Sequence, residues 1–484
     1  MADPNSAPSD RSPLLYTSTR GKAPELGFGD VILTGLAADG GLYCPIEVPE
    51  LPDLASDDLA PVDLASVDRG YAEVAAKVMW PYVEGSIDRS EFVALVTDAY
   101  AGFRDPAVCP ITHLGGGHHL LDLTKGPTLA FKDIALQLVG RLLDRELESR
   151  GERVVVLTAT SGDTGSAAIE ALAGRANLQA VVLHPHGRVS EVQRRQMTTV
   201  DAPNVHNVAI EGTFDDCQDL VKTAFLDHSI TAGRAPAAVN SINWARVMAQ
   251  IVYYVTAARA VAPAGRPVSF TVPTGNFGNV LSGWFAKRMG LSVDQLVVAS
   301  NVNDVLPRFF ATGELVAAEV TPSLSPSMDI QVSSNFERLL WEASERDGEA
   351  VAELLSTFRS AGRAVVPEPW VARIRSEFDA DMVDDDETMA EIARVHERVG
   401  LVVDPHTAVG LVAARRMRRD LDVPMITLAT ADPAKFPDAV ERAIGERPTL
   451  PPFLSELHSR PERYEVIAND PAALADYFAG RLAR

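Results

Sequence analysis

Residues Val154–Leu172 read VVVLTATSGDTGSAAIEAL. An apolar, β-branched run gives way to a polar turn with two glycines, and then to apolar residues at helical spacing. That is the pattern of a buried strand feeding a helix. Val268–Lys287, VSFTVPTGNFGNVLSGWFAK, repeats it. Working outward, LQAVVLHP precedes SEVQRRQM, VHNVAIEG precedes FDDCQDLVKTAF, and DQLVVASN follows the second turn. Near the end ETMAEIARVHERVG, LVVD, AVGLVAARRMRRD and PMITLAT continue the alternation, with LVVD read as a short strand. Parallel strands need long crossovers, and the intervening helices supply them. The expected fold class is α/β with mainly parallel sheets, preceded by an N-terminal domain that turns helical from about Val62 to Phe103.

The 484 residues exceed what one hydrophobic core normally serves, so about three domains, or two large ones, are expected. Hydrophobic residues at 46% and charged residues at 23% describe a globular chain and exclude general disorder. The formal charge of -22 and the lack of any Lys/Arg block exclude a nucleic-acid binder. An anion site in this chain must be locally positive. Cys44, Cys109 and Cys217 are far apart without a CxxC pair, so neither a disulfide framework nor a zinc ribbon is encoded, and a reducing cytoplasm is expected. No apolar run approaches the roughly 18 residues of a membrane span, and residues 1 to about 13 read as a flexible tail.

Three segments carry chemistry. In the first turn Ser161, Gly162, Asp163, Thr164 and Gly165 lie between strand and helix, where free N–H groups and hydroxyls meet the positive end of a helix. In the second, Gly275, Asn276, Phe277, Gly278 and Asn279 hold the corresponding place, and the glycines allow close approach of backbone to a phosphate. The bland reading of each is an N-cap with turn glycines. Neither turn fits a Walker or dinucleotide fingerprint. The third segment is Leu123–Leu143, LTKGPTLAFKDIALQLVGRLL, where Lys132 stands at the start of a helix. A cation there opposes the helix dipole by a few tenths of a kcal/mol up to about 1, and local misfits of this kind mark function. The bland alternative is a solvated lysine or one paired with Asp133.

With GPTLAFKD, TATSGDTG, SINWARVMAQIVYY, VPTGNFGN, SPSMDIQVSSNFERLL, VDPHTAVG and TADPAKFP in this order, the chain resembles the threonine synthases of the long bacterial and fungal type. TSTRG and GLAADGGLYCP resemble that family's N-terminal segment, and the likeness spans roughly residues 15 to 445. It implies the fold-type-II architecture of pyridoxal 5'-phosphate (PLP) enzymes, shared with the β-subunit of tryptophan synthase. It also implies conversion of O-phospho-L-homoserine and water to L-threonine and phosphate.

Residue by residue, the resemblance implies that Lys132 forms the Schiff base with PLP, that Gly275–Asn279 cradle the cofactor phosphate and that Thr430 bonds the pyridine nitrogen. Ser161, Gly162, Asp163 and Thr164 lie by the substrate's α-carboxylate, with Asp163 expected as a turn and cap residue because a facing carboxylate repels the substrate. For the substrate phosphate the candidates are Arg246, Asn243 three residues before it on one helix face, and Lys125. The sequence departs from the family at Lys125 and Asp432, where His is usual. Arg20 and Ser18 are candidates to close over the substrate, His118 and His119 read as loop residues, His406 as a helix-start residue capped by Asp404, and Asp384–Glu387 as a solvated helix start.

The expected division is a tail (1–13), an N-terminal domain (14–105), a large PLP-binding domain (106–150 and 262–450), a smaller α/β domain (151–261) and a C-terminal extension (451–484). Monomer and homodimer stay open. The nearest rival is a phospho-lyase using the same cofactor and substrate but releasing a 2-oxo acid and ammonia. A non-catalytic binding protein of this fold is disfavoured by the intact Lys132, GNFGN and SGDTG.

Overall fold

The computed structural model describes residues 13–52, 70–160, 162–234, 236–237 and 239–481. All but the last residue of the expected tail, the start of the expected helical stretch at 62–69, and Ser161 lie outside the described residues.

Two sheets organise the chain. The larger has six strands in the order Phe378–Met382, Val293–Ser300, Val268–Pro273, Met425–Ala429, His118–Asp122 and Ile111–Gly115. All its neighbours pair in parallel except the last two, which form a hairpin through Gly116 and Gly117. His118 and His119 therefore open a strand instead of sitting in a loop. The smaller sheet has five parallel strands, ordered Glu465–Ala468, Val205–Glu211, Leu178–Pro185, Val154–Ala159 and Pro236–Ala237. The last segment of chain thus returns to an edge of the smaller sheet. Buried Val, Leu and Ile on both faces of the central strands explain why they read as continuous apolar runs.

LVVD is not a strand. Only five residues separate the helix ending at Val399, closed by Gly400 with φ 67°, from the helix beginning at Pro405. Asp404 is the N-cap of the second, accepting from His406 N–H and Thr407 N–H, as expected for that pair. Asp384 and Glu387 form a reciprocal capping box.

The Trp244–Val261 helix is buried along nearly its whole length and packs on Gly278–Arg288. A Cβ on Gly283 would fall 2.6 Å from the Tyr254 ring, so glycine permits that approach. The N-terminal segment is tied to the larger sheet's surroundings by a forked ion pair, Arg20 Nε and Nη2 each 3.0 Å from a Glu337 oxygen. Ser18 is held by Asp39 at 2.7 Å. Both side chains, expected over the substrate, are used to anchor this segment. No helix among the described residues is long and apolar enough to cross a membrane.

Candidate active site

Lys132 begins the helix Lys132–Arg150, whose N-cap position is filled by Phe131 without a side-chain acceptor. Asp133 folds back instead, accepting Thr128 N–H at 2.8 Å and the Thr128 hydroxyl at 2.6 Å. A Cβ on Gly126 would fall 2.4 Å from that of Asp133, so only glycine lets the turn close over this carboxylate. Burial pushes the Asp133 carboxyl up to about 6, and the bonds from Thr128 offset only part of it. The same run is stitched to TADPAKF: Phe131 N–H donates to Thr430 O and Asp432 N–H to Leu129 O, both at 3.0 Å. Thr430 therefore stands beside the base of Lys132. It is buried.

The Lys132 amine reaches the first turn. Its Nζ lies 3.5 Å from Asp163 Oδ2, while Lys435 Nζ lies 2.9 Å from Oδ1 of the same carboxylate. Gln193 Nε2 donates to Oδ1 at 2.9 Å and the Ser327 hydroxyl to Oδ2 at 3.2 Å. Asp163 opens the helix Asp163–Leu172, yet its side chain makes no cap bond; the expectation of a turn and cap residue is corrected. The turn is closed by the Thr160 hydroxyl, which accepts from Gly162 N–H at 3.1 Å and Gly165 N–H at 2.9 Å. That frees Asp163 to serve as counter-ion to two buried lysines. Burial alone would raise its pKa, but Lys435 and Lys132 hold it well below the usual carboxylate range. For Lys132 the balance runs the other way: burial lowers its pKa, Asp163 opposes this, and Lys435 and Arg246 add to the lowering.

At the second turn Phe277, with φ 62°, precedes the helix Gly278–Arg288. Among the described residues, no backbone acceptor meets the N–H of Gly275, Asn276 or Phe277. The first N–H groups of the helix are free by geometry. A loop from Ser333 to Asn335 braces the turn: the Ser333 hydroxyl donates to Gly275 O at 2.8 Å and Asn335 Nδ2 to Asn276 O at 3.0 Å. A Cβ on Gly275 would fall 2.8 Å from Ser327 O. Asn279 lies just inside the helix, its Oδ1 accepting from Tyr253 at 2.6 Å and Tyr254 at 2.8 Å, with Nδ2 buried and unpartnered.

The phosphate candidates divide. Asn243 is the N-cap of its helix, accepting from Ala245 N–H at 3.1 Å, and its Nδ2 donates to Ile32 O at 2.8 Å. Its side chain is committed, which corrects the expected joint grip with Arg246. Arg246 is 2% exposed, with Nη1 on Val239 O at 3.1 Å and Nε unpartnered. Burial pulls its pKa down to about 10. A buried guanidinium with a free donor and, among the described residues, no carboxylate partner is a site that an anion completes. Lys125 is paired with Asp122 at 2.8 Å and is partly exposed. Burial raises the Asp432 carboxyl, which caps Ala434 N–H and feels Arg104 and Lys125, so the two departures share one charge cluster. Thr164, at the first turn, is half-buried.

Three family models match in order along the chain. "Threonine synthase N terminus" covers residues 15–100, "Pyridoxal-phosphate dependent enzyme" 112–360 and "Threonine synthase, C-terminal" 407–478. A threonine synthase of Pseudomonas aeruginosa is 52% identical over 460 residues, 95% of this chain and 97% of that one. The chain belongs to the threonine synthase family. A PLP-bound threonine synthase from Brucella melitensis superposes with a TM-score of 0.92 at 47% identity, covering 97% of this chain and 99% of that one. The yeast threonine synthase gives 0.90 at 35%, with the same coverage. The architecture is that of the fold-type-II PLP enzymes, and the cofactor is PLP. This chain's own residues fit that group. Gly275–Phe277 present N–H donors with no backbone acceptor among the described residues, a side chain on Gly275 would collide with Ser327 O, Thr430 is buried, and the Lys132 side chain is only 11% exposed.

Sequence reasoning missed Lys435, Gln193 and Ser327. Lys435 lies inside the TADPAKFP run and is fully buried, a state lysine adopts only when paired or functional. That a buried lysine was present is not legible from the run itself, because its partner Asp163 comes from the other sheet.

Proposed function

We propose that the chain converts O-phospho-L-homoserine and water to L-threonine and inorganic phosphate, with Lys132 as the residue that bonds PLP and moves protons. The observation that carries this is the meeting of Lys132 with a buried carboxylate and a second lysine, beside a turn of unpaired N–H donors. Gly275–Asn279 hold the cofactor phosphate, since backbone donors bind a dianion without bringing further charge. Thr430 would bond the pyridine nitrogen, and a neutral hydroxyl there would leave that nitrogen largely unprotonated. PLP supplies an electron sink for charge developing on substrate carbons.

The protein residues do the rest. A free lysine with pKa about 10.4 is neutral roughly once in 2,500 at pH 7, a cost of about 4.6 kcal/mol, so the site has to lower that pKa for Nζ to accept a proton at the substrate's Cα and Cβ. Burial, Lys435 and Arg246 act in that direction. Thr164, in the first turn of the Asp163 helix, receives the α-carboxylate, and the resemblance adds Ser161. Arg246 takes the substrate phosphate and stabilises it as it leaves. Asn243 and Lys125 are not part of this assignment, because their side chains are engaged by Ile32 and Asp122. The two sheets with their helices form the two domains around the site. We place the reaction in the cytoplasm, where the buried free thiols of Cys44, Cys109 and Cys217 stay reduced.

The test is to incubate the protein with PLP and O-phospho-L-homoserine and assay phosphate, threonine and 2-oxobutyrate together. Equal phosphate and threonine are expected. Phosphate with 2-oxobutyrate in place of threonine overturns the proposal in favour of the phospho-lyase.

A further inference from the structure

Asp163 has four donors and only two oxygens. Lys435 and Gln193 occupy Oδ1, each at 2.9 Å, while Ser327 at 3.2 Å and Lys132 at 3.5 Å share Oδ2. Lys132 is thus the most distant partner, beyond the 2.7–2.9 Å of a close charge-assisted bond. Lys435 is fixed from its other side by Thr128 O at 2.7 Å. Ser327 is fixed through its own N–H, which donates to His406 Nε2 at 3.2 Å, and His406 Nδ1 lies 2.8 Å from Asp404. The carboxylate is therefore clamped by groups that do no chemistry in the proposed reaction. Two lysines meet at this one carboxylate, Asp133 being the other buried carboxylate that Lys435 feels, and Arg246 lies near Lys132 with no carboxylate partner among the described residues. Stability alone does not favour that arrangement, because buried charges without partners are costly.

We propose that Lys435 is a positioning residue for the reaction. By occupying Asp163 Oδ1 and adding its own positive charge, it keeps Asp163 from closing into a full ion pair with Lys132, so that the Lys132 amine stays free to lose its proton. Lys435 touches neither substrate nor cofactor in this role; it acts through Asp163. The inference rests on the reading of Lys132 as the reactive lysine. The sign is definite. Removing the Lys435 charge takes a like charge from beside Lys132 and releases Asp163 to it, and both changes favour the ammonium form. Removing the Asp163 charge as well cancels most of the effect.

The test reads the Lys132 amine directly in the full-length chain freed of cofactor. Brief reductive methylation with formaldehyde and cyanoborohydride across a pH series, followed by peptide mass spectrometry, gives the midpoint at which Lys132 becomes reactive. In K435M the midpoint is expected to rise by about one pH unit, roughly a tenfold loss of reactive amine at a fixed pH below it. K435Q keeps a hydrogen-bond donor toward Thr128 O without the charge and is expected to rise equally. K435R restores the charge and returns the midpoint toward wild type, as does the double variant K435M/D163N. Thermal melts select the variants that fold, and any one of the two neutral variants suffices. An unchanged or lowered midpoint in a folded neutral variant overturns the inference. Fixing PLP to the wild-type protein with borohydride reads the underlying assignment separately. Label on Lys132 without a midpoint shift defeats the positioning role alone, and absence of label from Lys132 defeats the reading beneath it.

Discussion

At Gly275–Asn279 the chain leaves backbone N–H groups unpaired and surrounds them with neutral partners: Ser333, Asn335 and two tyrosine hydroxyls on Asn279. At Gly162–Gly165 the Thr160 hydroxyl absorbs two such N–H groups, and Asp163 gathers two ammonium groups instead. Both turns link a parallel strand to a helix, and both present glycine at the point of closest approach. The difference lies in what is brought to them from afar. The first becomes a holder for a dianion, built of dipoles that need no proton to change place. The second becomes a device for setting the charge of one amine. A PLP enzyme needs both, and the two requirements conflict if placed at one turn, because cations strong enough to hold a phosphate would also compete for the carboxylate beside the lysine.

The largest effect is expected at Lys132. Lys132→Ala should lower turnover by about 10⁴-fold or more, with loss of the visible absorption that PLP gives when bound to a lysine; turnover within tenfold of wild type would remove the charged turn from the chemistry. Next is Asp163→Asn, which leaves two buried ammonium groups without their counter-ion. A loss of about 3–5 kcal/mol in urea or thermal unfolding is expected, while the same kind of change at the dipolar turn, Asn276→Asp, should cost far less in the cofactor-free chain.

Asp133 sharpens the contrast between carboxylates. Its hydrogen-bond partner is Thr128, a neutral donor, and burial outweighs both that and the attraction of Lys435, raising its carboxyl from 3.8 to about 6. Between those values the folded chain holds a proton that the unfolded chain has released, so this group's contribution falls as pH rises through the window. Relative to Asp133→Asn, the wild type should lose roughly 2 kcal/mol of stability from pH 4 to pH 6 in denaturant titrations. Asp163, held low by lysines, gives no such loss in that window. The smallest effect is at the dipolar turn. Gly275→Ala forces a Cβ to within 2.8 Å of Ser327 O, and a strain of about 1–3 kcal/mol should weaken PLP binding by roughly 10- to 100-fold, read by fluorescence titration, with turnover restored at saturating PLP.

The two turns and the lysine at the start of its helix were legible because each is a local pattern: strand residues, a glycine-bearing turn, a cation where the helix dipole disfavours one. The alternation of strands and helices was legible for the same reason. What escaped was set by distance in the chain. Asp163 was expected to cap its helix because only the substrate's carboxylate was weighed against it, whereas Lys435 arrives from the far end of the sequence. Asn243 and Arg246 were expected to share a helix face, but Asn243 is the cap itself and spends its amide on Ile32, a residue of the N-terminal segment. LVVD carried strand composition, yet of the five residues between the two helices Gly400 ends the first and Asp404 caps the second, and the stretch pairs with no strand among the described residues.

Two lysines share one carboxylate beside a turn of free donors, and of the two it is the farther, Lys132, that is assigned to the cofactor. Reduction of the PLP-loaded protein with borohydride, followed by proteolysis and mass spectrometry, fixes the cofactor to whichever amine it occupies. The pyridoxyl mass should appear on the peptide containing Lys132 and leave Lys435 unmodified. Label on Lys435, with Lys132 free, would contradict the assignment of both.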